Sequence, residues 1–170
     1  MKVAFTGHRP EKIGGYDLSN PVAKQVKMAI SKKLQELGTI ERAISGLALG
    51  VDQIAAEVCI ALKIPFVAAI PFVGQESKWP LKAQEHYEYL LSCAEKAQCV
   101  SSGEYAAWKM QARNQWMVDD CDVLIAVYDG SPGGTRNCVE YAQKQGKTIH
   151  FIDPKQFVEK REVYSRPGYL

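Results

Sequence analysis

The sequence predicts a single α/β domain with a Rossmann-like, doubly wound and mainly parallel sheet that carries helices on both faces. Short apolar runs alternate with stretches of helical periodicity, and glycine-containing turns separate them. This alternation of strand, helix and strand is typical of parallel βαβ units. Residues 66–70 are apolar nearly throughout, as in a strand buried on both faces. We expect six strands, over residues 2–6, 43–44, 66–70, 98–101, 122–128 and 148–152.

Helices are predicted between these strands from capping signals and apolar spacing. Asn20 and Pro21 suit the N-cap and first position of a helix that ends before Gly38. Further helices are expected over residues 53–62, 81–96 and 106–121, and from Thr135 to near Gly146. The domain should therefore span residues 1–153, with a short C-terminal helix and tail over residues 154–170.

Length and composition narrow the functional classes. The chain has 170 residues, 46% hydrophobic and 24% charged, which suits one sizeable core. A net charge of +2 lacks the basic excess of a dedicated duplex-binding domain. No apolar run could span a bilayer and no signal peptide begins the chain, so a cytoplasmic protein without membrane contact is expected. The five cysteines lack metal-ligand spacing, so free thiols and no metal site are expected.

The turn after the second strand, over residues 45–52, is a candidate anion site. Its two glycines let the backbone turn tightly, and the first helical turn that follows exposes free N–H groups. The turn matches neither the dinucleotide fingerprint nor a Walker A loop. The candidate ligand-binding residues are Ser45, Gly46, Gly50 and Asp52.

The end of the first strand is a second candidate, because strand C-termini carry ligands in doubly wound sheets. Thr6, Gly7, His8 and Arg9 offer a hydroxyl, a permissive backbone, an imidazole and a guanidinium. This set suits a phosphate or a ribose hydroxyl. The alternative is a surface turn in which His8 and Arg9 are merely solvated.

The end of the fifth strand repeats the design of the central turn. Consecutive glycines can fold around a phosphate, and a threonine can cap the next helix or donate to an oxygen. The candidates are Tyr128, Asp129, Gly130, Gly133, Gly134 and Thr135. Trp79, in a polar loop after the third strand, either stacks on a nucleobase or caps the core beneath its loop.

The motifs together resemble a known superfamily. The central Ser-Gly-x-Ala-x-Gly-x-Asp is similar to the signature turn of DprA/Smf proteins. Arg113-Asn114, Met117 and Gly133-Gly134-Thr135 follow in the order of the Arg-x-x-x-Met and Gly-Gly-x-Gly-Thr elements of the SLOG superfamily, which includes the LOG phosphoribohydrolases. With Thr6-Gly7-His8-Arg9-Pro10, the chain is most similar to the YpsA-like branch over about residues 1–153.

The resemblance implies a ligand and adds two site residues. Arg113 is implied to reach a phosphate, with Asn114 beside it; the alternative is an exposed Arg113 paired with Glu104 or Asp119. We expect binding of a nucleotide-derived small molecule, either a nucleoside phosphate or an NAD- or ADP-ribose-like ligand, in a sensor or ligand-binding protein. No cofactor is assigned. A DprA-like module for single-stranded nucleic acid is the alternative, and a homodimer stays open.

Catalysis is the point where this sequence departs from the LOG pattern. LOG enzymes carry a glutamate three residues after the threonine of their glycine motif, and Cys138 takes that position here. The glycine motif also lacks the intervening residue and the third glycine, and the first acidic side chain is Glu140. Two residues turn a helix by roughly 200°, so Glu140 should face away from the crevice. Binding without efficient phosphoribohydrolase activity is therefore expected, and no catalytic residue is assigned.

Overall fold

The computed structural model describes residues 1–158 and contains one six-stranded sheet in which every paired strand is parallel. The strands are β1 (Lys2–Gly7), β2 (Arg42–Ser45), β3 (Phe66–Ile70), β4 (Lys96–Cys99), β5 (Val123–Val127) and β6 (Thr148–Ile152). The helices are α1 (Pro21–Leu37), α2 (Val51–Ala61), α3 (Leu81–Cys93), α4 (Ala107–Asp120) and α5 (Gly134–Lys144), with a short 3₁₀ helix at Pro10–Lys12. The predicted fold class is confirmed.

The strand order β4-β3-β2-β1-β5-β6 places β1 at the centre. Strands β2 to β4 extend the sheet in one direction from β1, and β5 and β6 extend it in the other. Phe5 pairs with Ile125 and Gly7 with Val127, so β1 and β5 end side by side. In open α/β sheets, ligands bind at such a switch point, outside the carboxyl ends of the strands. The adjacency needed for the two predicted loops to converge is confirmed.

Helices cover both faces of the sheet. One core contains α1 residues such as Val26 and Ile30 together with Ile54 of α2 and Leu90 of α3. A smaller core on the other face joins α4 and α5 to the sheet through residues such as Met117, Val118, Cys138 and Ala142. Because helices pack on both faces, β3 and β5 are buried at every position, and their sequences are continuously apolar.

Helix α1 shows how local sequence sets an element's limits. The Asn20 side chain accepts a hydrogen bond from the Ala23 N–H at 2.9 Å, and Pro21 occupies the first turn. Gly38 ends the helix with a φ of 83°, a conformation that glycine adopts without steric penalty. Both limits agree with the prediction.

The predicted boundary between α3 and β4 is wrong by two to three residues. Helix α3 ends at Cys93, because Ala94 is already extended and the Glu95 N–H donates to the Phe66 carbonyl at 2.8 Å. Strand β4 therefore begins at Lys96 instead of residue 98. Three of its four residues are exposed, so apolar patterning gave little guidance there.

The C-terminal prediction is covered only in part. Residues 155–158 are helical, and the rest of the predicted helix and tail lies outside the described residues. Within residues 1–158, no helix is long and apolar enough to cross a membrane. The five cysteines are free thiols, with Cys93 and Cys99 exposed.

Candidate functional site

A cavity of about 430 Å³ lies where β1 and β5 end. Its walls include most of the predicted site residues, namely Thr6, Gly7, His8, Arg9, Asp52, Arg113, Asn114, Gly133, Gly134 and Thr135. Sequence analysis did not single out the remaining lining residues, which are Glu11, Lys12, Ala48, Met110 and Pro132. The volume is within the range of small-molecule sites.

Two contacts join the β1 loop to the β5 loop across the mouth of this cavity. His8 Nε2 lies 2.8 Å from Asp129 Oδ1 and 2.9 Å from the Asp129 backbone nitrogen. When His8 Nε2 carries a proton it donates to the Asp129 carboxylate, and when it does not it accepts from the Asp129 backbone N–H. In addition, Lys12 Nζ donates to Ser131 Oγ. The two loops therefore form one continuous rim.

Asp129 organises the β5 loop from behind the rim. Its Oδ1 accepts hydrogen bonds from the Ser131 N–H, at 2.9 Å, and from the Ser131 hydroxyl. Burial opposes ionisation of Asp129, but these two hydrogen bonds and the His8 and Lys12 charges bring its pKa down to about 2. Burial lowers the pKa of His8, against the opposing effect of the Asp129 carboxylate. Asp129 itself does not line the cavity and acts as a positioning residue for His8 and Ser131.

The turn over residues 45–52 is mostly buried framework. Ser45 Oγ donates to the Asp52 carbonyl at 2.7 Å and accepts from the Leu47 N–H at 3.2 Å. Gly50, with a φ of 98°, packs so closely that a Cβ would lie 2.6 Å from the His8 carbonyl oxygen. That carbonyl accepts the Val51 N–H at 3.3 Å. The β1 loop therefore covers the start of α2, and neither Ser45 nor Gly50 faces the cavity.

Arg113 lies beneath the cavity with only 3% of its surface exposed. Its Nη1 donates to the carbonyls of Gly46 at 2.8 Å and Ala69 at 3.3 Å, and its Nε donates to Asn114 Oδ1 at 2.9 Å. Within residues 1–158, Nη2 has no hydrogen-bond partner, and Arg113 lines the cavity. The implied orientation of Arg113 toward the crevice agrees with this geometry, and the surface pairing with Glu104 or Asp119 does not.

Gly46 is a packing residue that makes room for this arginine. A Cβ at Gly46 would lie 2.6 Å from Arg113 Cζ and 2.8 Å from Asp52 Oδ2. Such distances are shorter than real side chains tolerate. Gly46 therefore does not line the cavity. It supports the site because its carbonyl accepts a hydrogen bond from Arg113 and because the absence of a side chain leaves room for the guanidinium.

Asp52 brings a carboxylate to the cavity floor. It is 8% exposed, and its Oδ2 accepts one long hydrogen bond, 3.4 Å, from the Ala48 N–H. Burial raises its pKa, and the positive charges of Arg113 and Arg9 counteract that rise. Oδ1 has no hydrogen-bond partner among the described residues, and Asp52 lines the cavity. The floor therefore offers an acceptor, the Asp52 carboxylate, and a donor, the Arg113 guanidinium, each of which shifts the pKa of the other.

The start of α5 has backbone N–H groups without acceptors among the described residues, at the edge of the cavity. The N–H groups of Gly134, Thr135 and Arg136 have no acceptor within residues 1–158, whereas the Asn137 N–H bonds to the Gly133 carbonyl. A Cβ at Gly133 or Gly134 would meet nothing within 4 Å, so these backbone groups are accessible. Free N–H groups and the helix dipole attract anions. The first glycine-rich turn differs, because there the β1 loop packs on the helix start and the His8 carbonyl accepts the Val51 N–H.

Trp79, Tyr128 and Gly130 lie outside the cavity. Trp79 is half-buried and packs edge-on against Tyr87, with ring centroids 5.5 Å apart. This is the arrangement of a tryptophan that caps the core beneath its loop. The Tyr128 hydroxyl accepts a hydrogen bond from Arg136 Nε at 3.1 Å, and Gly130 gives its carbonyl to Arg136 Nη2. These groups hold the β5 loop in place.

Cys138 and Glu140 occupy the positions relevant to LOG chemistry. Cys138 is buried, and burial raises the pKa of its thiol to about 11, so the thiol is protonated at neutral pH. Glu140 is exposed on α5 and does not line the cavity, in agreement with its predicted position. The carboxylate that does line the cavity is that of Asp52 on α2.

Comparisons with known proteins identify the family. A family model named YpsA and described as "YspA SLOG family" matches residues 3–157. The chain belongs to this YpsA SLOG family. It is 35% identical over 146 residues to the SPbeta prophage-derived protein YoqJ of Bacillus subtilis, covering 75% of this chain and 85% of that protein. It is 30% identical to a UPF0398 protein of Bacillus cereus, with 95% and 97% covered.

A structural relative supports the fold. DNA processing protein A (DprA) from Streptococcus pneumoniae superposes with a TM-score of 0.65 at 20% identity, covering 94% of this chain and 56% of the DprA chain. At this identity the likeness concerns the fold alone. The resemblance of the sequence to SLOG proteins is thereby confirmed at the level of family and architecture.

Proposed function

We propose that this YpsA-family protein binds a nucleotide-derived small molecule, with a phosphate at the start of α5. The observation that carries the proposal is the set of free N–H groups at the start of α5, where Gly134 and Thr135 line the cavity between β1 and β5 and the Arg136 N–H follows them in the same helical turn. Arg9 and Lys12 on the rim and Arg113 on the floor add positive charge around the same space. Backbone donors combined with guanidinium groups are a recurrent phosphate environment.

The floor of the cavity suits a sugar better than a second phosphate. The Asp52 carboxylate would repel a phosphate, whereas Asp52 Oδ1 and Arg113 Nη2 together match a hydroxyl group, which both donates and accepts. A nucleoside phosphate therefore fits with its phosphate toward α5 and its ribose above Asp52. The same arrangement accommodates an ADP-ribose- or NAD-like ligand.

The binding test compares ligands that differ only in their phosphate groups. We expect thermal shift and calorimetry to detect binding of AMP, ADP-ribose or NAD, and much weaker binding of adenosine. A ligand at about a hundred times its Kd raises the free energy of unfolding by roughly 2.7 kcal/mol. Equal binding of adenosine and AMP, or no binding of any of these compounds, would contradict the proposal.

A matched pair of arginine variants tests the site. Arg9→Gln removes an exposed cation from the cavity rim, whereas Arg42→Gln removes one from the opposite end of the sheet, where Arg42 pairs with Glu95. We expect AMP affinity to fall about tenfold in Arg9→Gln, because a charge-assisted hydrogen bond contributes about 1.5 kcal/mol or more. Arg42→Gln should leave the affinity unchanged.

Single-stranded nucleic acid remains the second candidate ligand, because the fold resembles that of a DNA processing protein. In that case the basic rim would track a phosphate backbone. Titration with an oligonucleotide at two salt concentrations separates the candidates. Backbone binding weakens steeply with salt, whereas a mononucleotide with one or two phosphate contacts shows a shallow dependence.

A further inference from the structure

A second, larger cavity lies at the ends of β3 and β4. It has a volume of about 750 Å³ and is bounded by the loop after β3 and by the residues that precede α4. Phe72 and Val73 belong to the first of these segments, and Glu104 and Tyr105 to the second. Of these four residues, only Glu104 was named from the sequence, as an alternative partner of Arg113.

The walls of this cavity expose an unusual amount of apolar surface. Val73 is 82% exposed and Tyr105 is 67% exposed, while Phe72 is buried and forms the floor. The Tyr105 ring stands nearly perpendicular to Phe72, at 75°, with centroids 6.0 Å apart. One face of Tyr105 is consequently available for stacking with another ring. Exposed apolar groups that cluster around a cavity mark binding surfaces.

A buried lysine holds Tyr105 in place. Lys109 is only 7% exposed, and its Nζ donates to the Ser102 carbonyl at 2.5 Å and also to the Glu104 carbonyl. These bonds fix the turn immediately before Tyr105 to the first turn of α4. Since an anchored ring loses little conformational entropy when a ligand stacks on it, Tyr105 is preorganised for binding.

The charges of the two cavities differ in a way that indicates different ligand groups. The second cavity is lined by one cation, Lys78, and one anion, Glu104, so it suits an uncharged ring. The first cavity collects Arg9, Lys12 and Arg113, which suit phosphates. A ligand that used both would carry its charge at one end and a planar ring at the other.

The two cavities share a wall at Gly46. The Gln75 side chain lines the second cavity and donates through Nε2 to the Gly46 carbonyl at 3.1 Å, the same carbonyl that Arg113 Nη1 contacts at 2.8 Å. Gln75 Oε1 is buried and has no donor within residues 1–158.

We propose that the Phe72–Tyr105 cavity holds a second ring of the ligand bound in the first cavity, so that the ligand class is a dinucleotide, two nucleoside units joined through phosphates. This inference rests on the proposed function. Met110 lines the first cavity and Tyr105 the second. Gln75 of the second cavity and Arg113 of the first contact the same Gly46 carbonyl, at 3.1 and 2.8 Å, so the two cavities lie side by side there and a pyrophosphate linkage would pass over this point.

The experiment measures AMP and NAD affinities by calorimetry for the wild type and three tyrosine variants. Tyr105→Ala removes the stacking ring, Tyr105→Phe retains it, and Tyr89→Ala removes an exposed tyrosine of α3 that lines neither cavity. We expect NAD to bind the wild type at least about tenfold more tightly than AMP. Tyr105→Ala should remove this advantage while leaving AMP affinity unchanged, and Tyr105→Phe and Tyr89→Ala should retain it.

The possible failures are distinguishable. If the wild type binds neither compound, the proposed function itself fails. If AMP and NAD bind the wild type equally well, the dinucleotide proposal is overturned while nucleotide binding stands. The same holds if Tyr105→Ala changes the affinities for both compounds, or for neither. Two other results would also overturn the dinucleotide proposal. One is a homodimer, seen by sedimentation, that dissociates in Tyr105→Ala. The other is salt-sensitive binding of an oligonucleotide that requires Tyr105.

Discussion

The substitution Gly46→Ala adds one methyl group at the point where Arg113 passes beneath the cavity. The new Cβ would lie 2.6 Å from Arg113 Cζ and 2.8 Å from Asp52 Oδ2, so the guanidinium must move. Its movement breaks the bonds of Nη1 to the Gly46 and Ala69 carbonyls. Overpacking costs about 1–3 kcal/mol and a lost hydrogen bond to a charged group about 1.5–3 kcal/mol, and the two overlap. We expect a loss of about 3 kcal/mol.

This loss is measurable in unfolding experiments. For a chain of this length, 3 kcal/mol corresponds to a fall in Tm of about 6–12 °C. Urea unfolding should show a lower midpoint with an unchanged slope. The matched control is Gly134→Ala, where the added Cβ meets nothing within 4 Å.

The control should separate stability from binding. Alanine in a helix is more stable than glycine by about 0.5–1 kcal/mol, so Gly134→Ala should unfold at the wild-type midpoint or slightly above it. Its methyl group would nevertheless intrude among the free N–H groups, so AMP affinity should fall. If Gly46→Ala unfolds within about 0.5 kcal/mol of the wild type, Arg113 is not fixed by these contacts and the description of the cavity floor is refuted.

Three further predictions concern individual residues. Asp129→Asn should cost on the order of 2 kcal/mol at pH 7, because the folded-state pKa of about 2 lies below the ordinary aspartate value of 3.8. The stability gap to the wild type should narrow as pH falls from 3.8 toward 2, and a gap that stays constant in acid urea titrations would contradict this. Trp79→Ala should cost about 2 kcal/mol through lost packing on Tyr87, less than for a fully buried tryptophan because Trp79 is half-buried, and should leave AMP affinity unchanged. Weaker AMP binding by the folded variant would return Trp79 to the site. Lys109→Met should speed hydrogen exchange in the turn before Tyr105, because Lys109 Nζ holds that turn; unchanged protection would show that the turn is stable without it.

The fold was predictable because its signals are local. The apolar run at Phe66–Ile70, the cap at Asn20 and the stop at Gly38 each depend on a few neighbouring residues. Strand β4 was misplaced because it lies at the edge of the sheet and is mostly exposed, so its sequence lacks the apolar pattern of a buried strand. Its boundary depends on the distant Phe66 carbonyl, which receives the Glu95 N–H.

The site was predictable only as far as strand ends and motifs specify it. Thr6 to Arg9 and Gly133 to Thr135 line the cavity, as expected of loops at a switch point. Gly46 and Gly50 were predicted to contact a ligand, but their missing side chains instead make room for Arg113 and for the His8 carbonyl. The sequence cannot distinguish these two reasons for a glycine. Lys12 and Met110 were missed because only tertiary packing brings them to the cavity.

The cavity is assembled from four segments that are far apart in the chain, around Gly7, Asp52, Arg113 and Gly134. No fragment that lacks the fifth strand can form it, and any opening that separates β1 from β5 destroys it. A bound molecule would therefore oppose unfolding of the entire sheet instead of protecting a single loop. The resistance of this protein to a protease would then rise and fall with the amount of ligand present, and its abundance in a cell would record that amount.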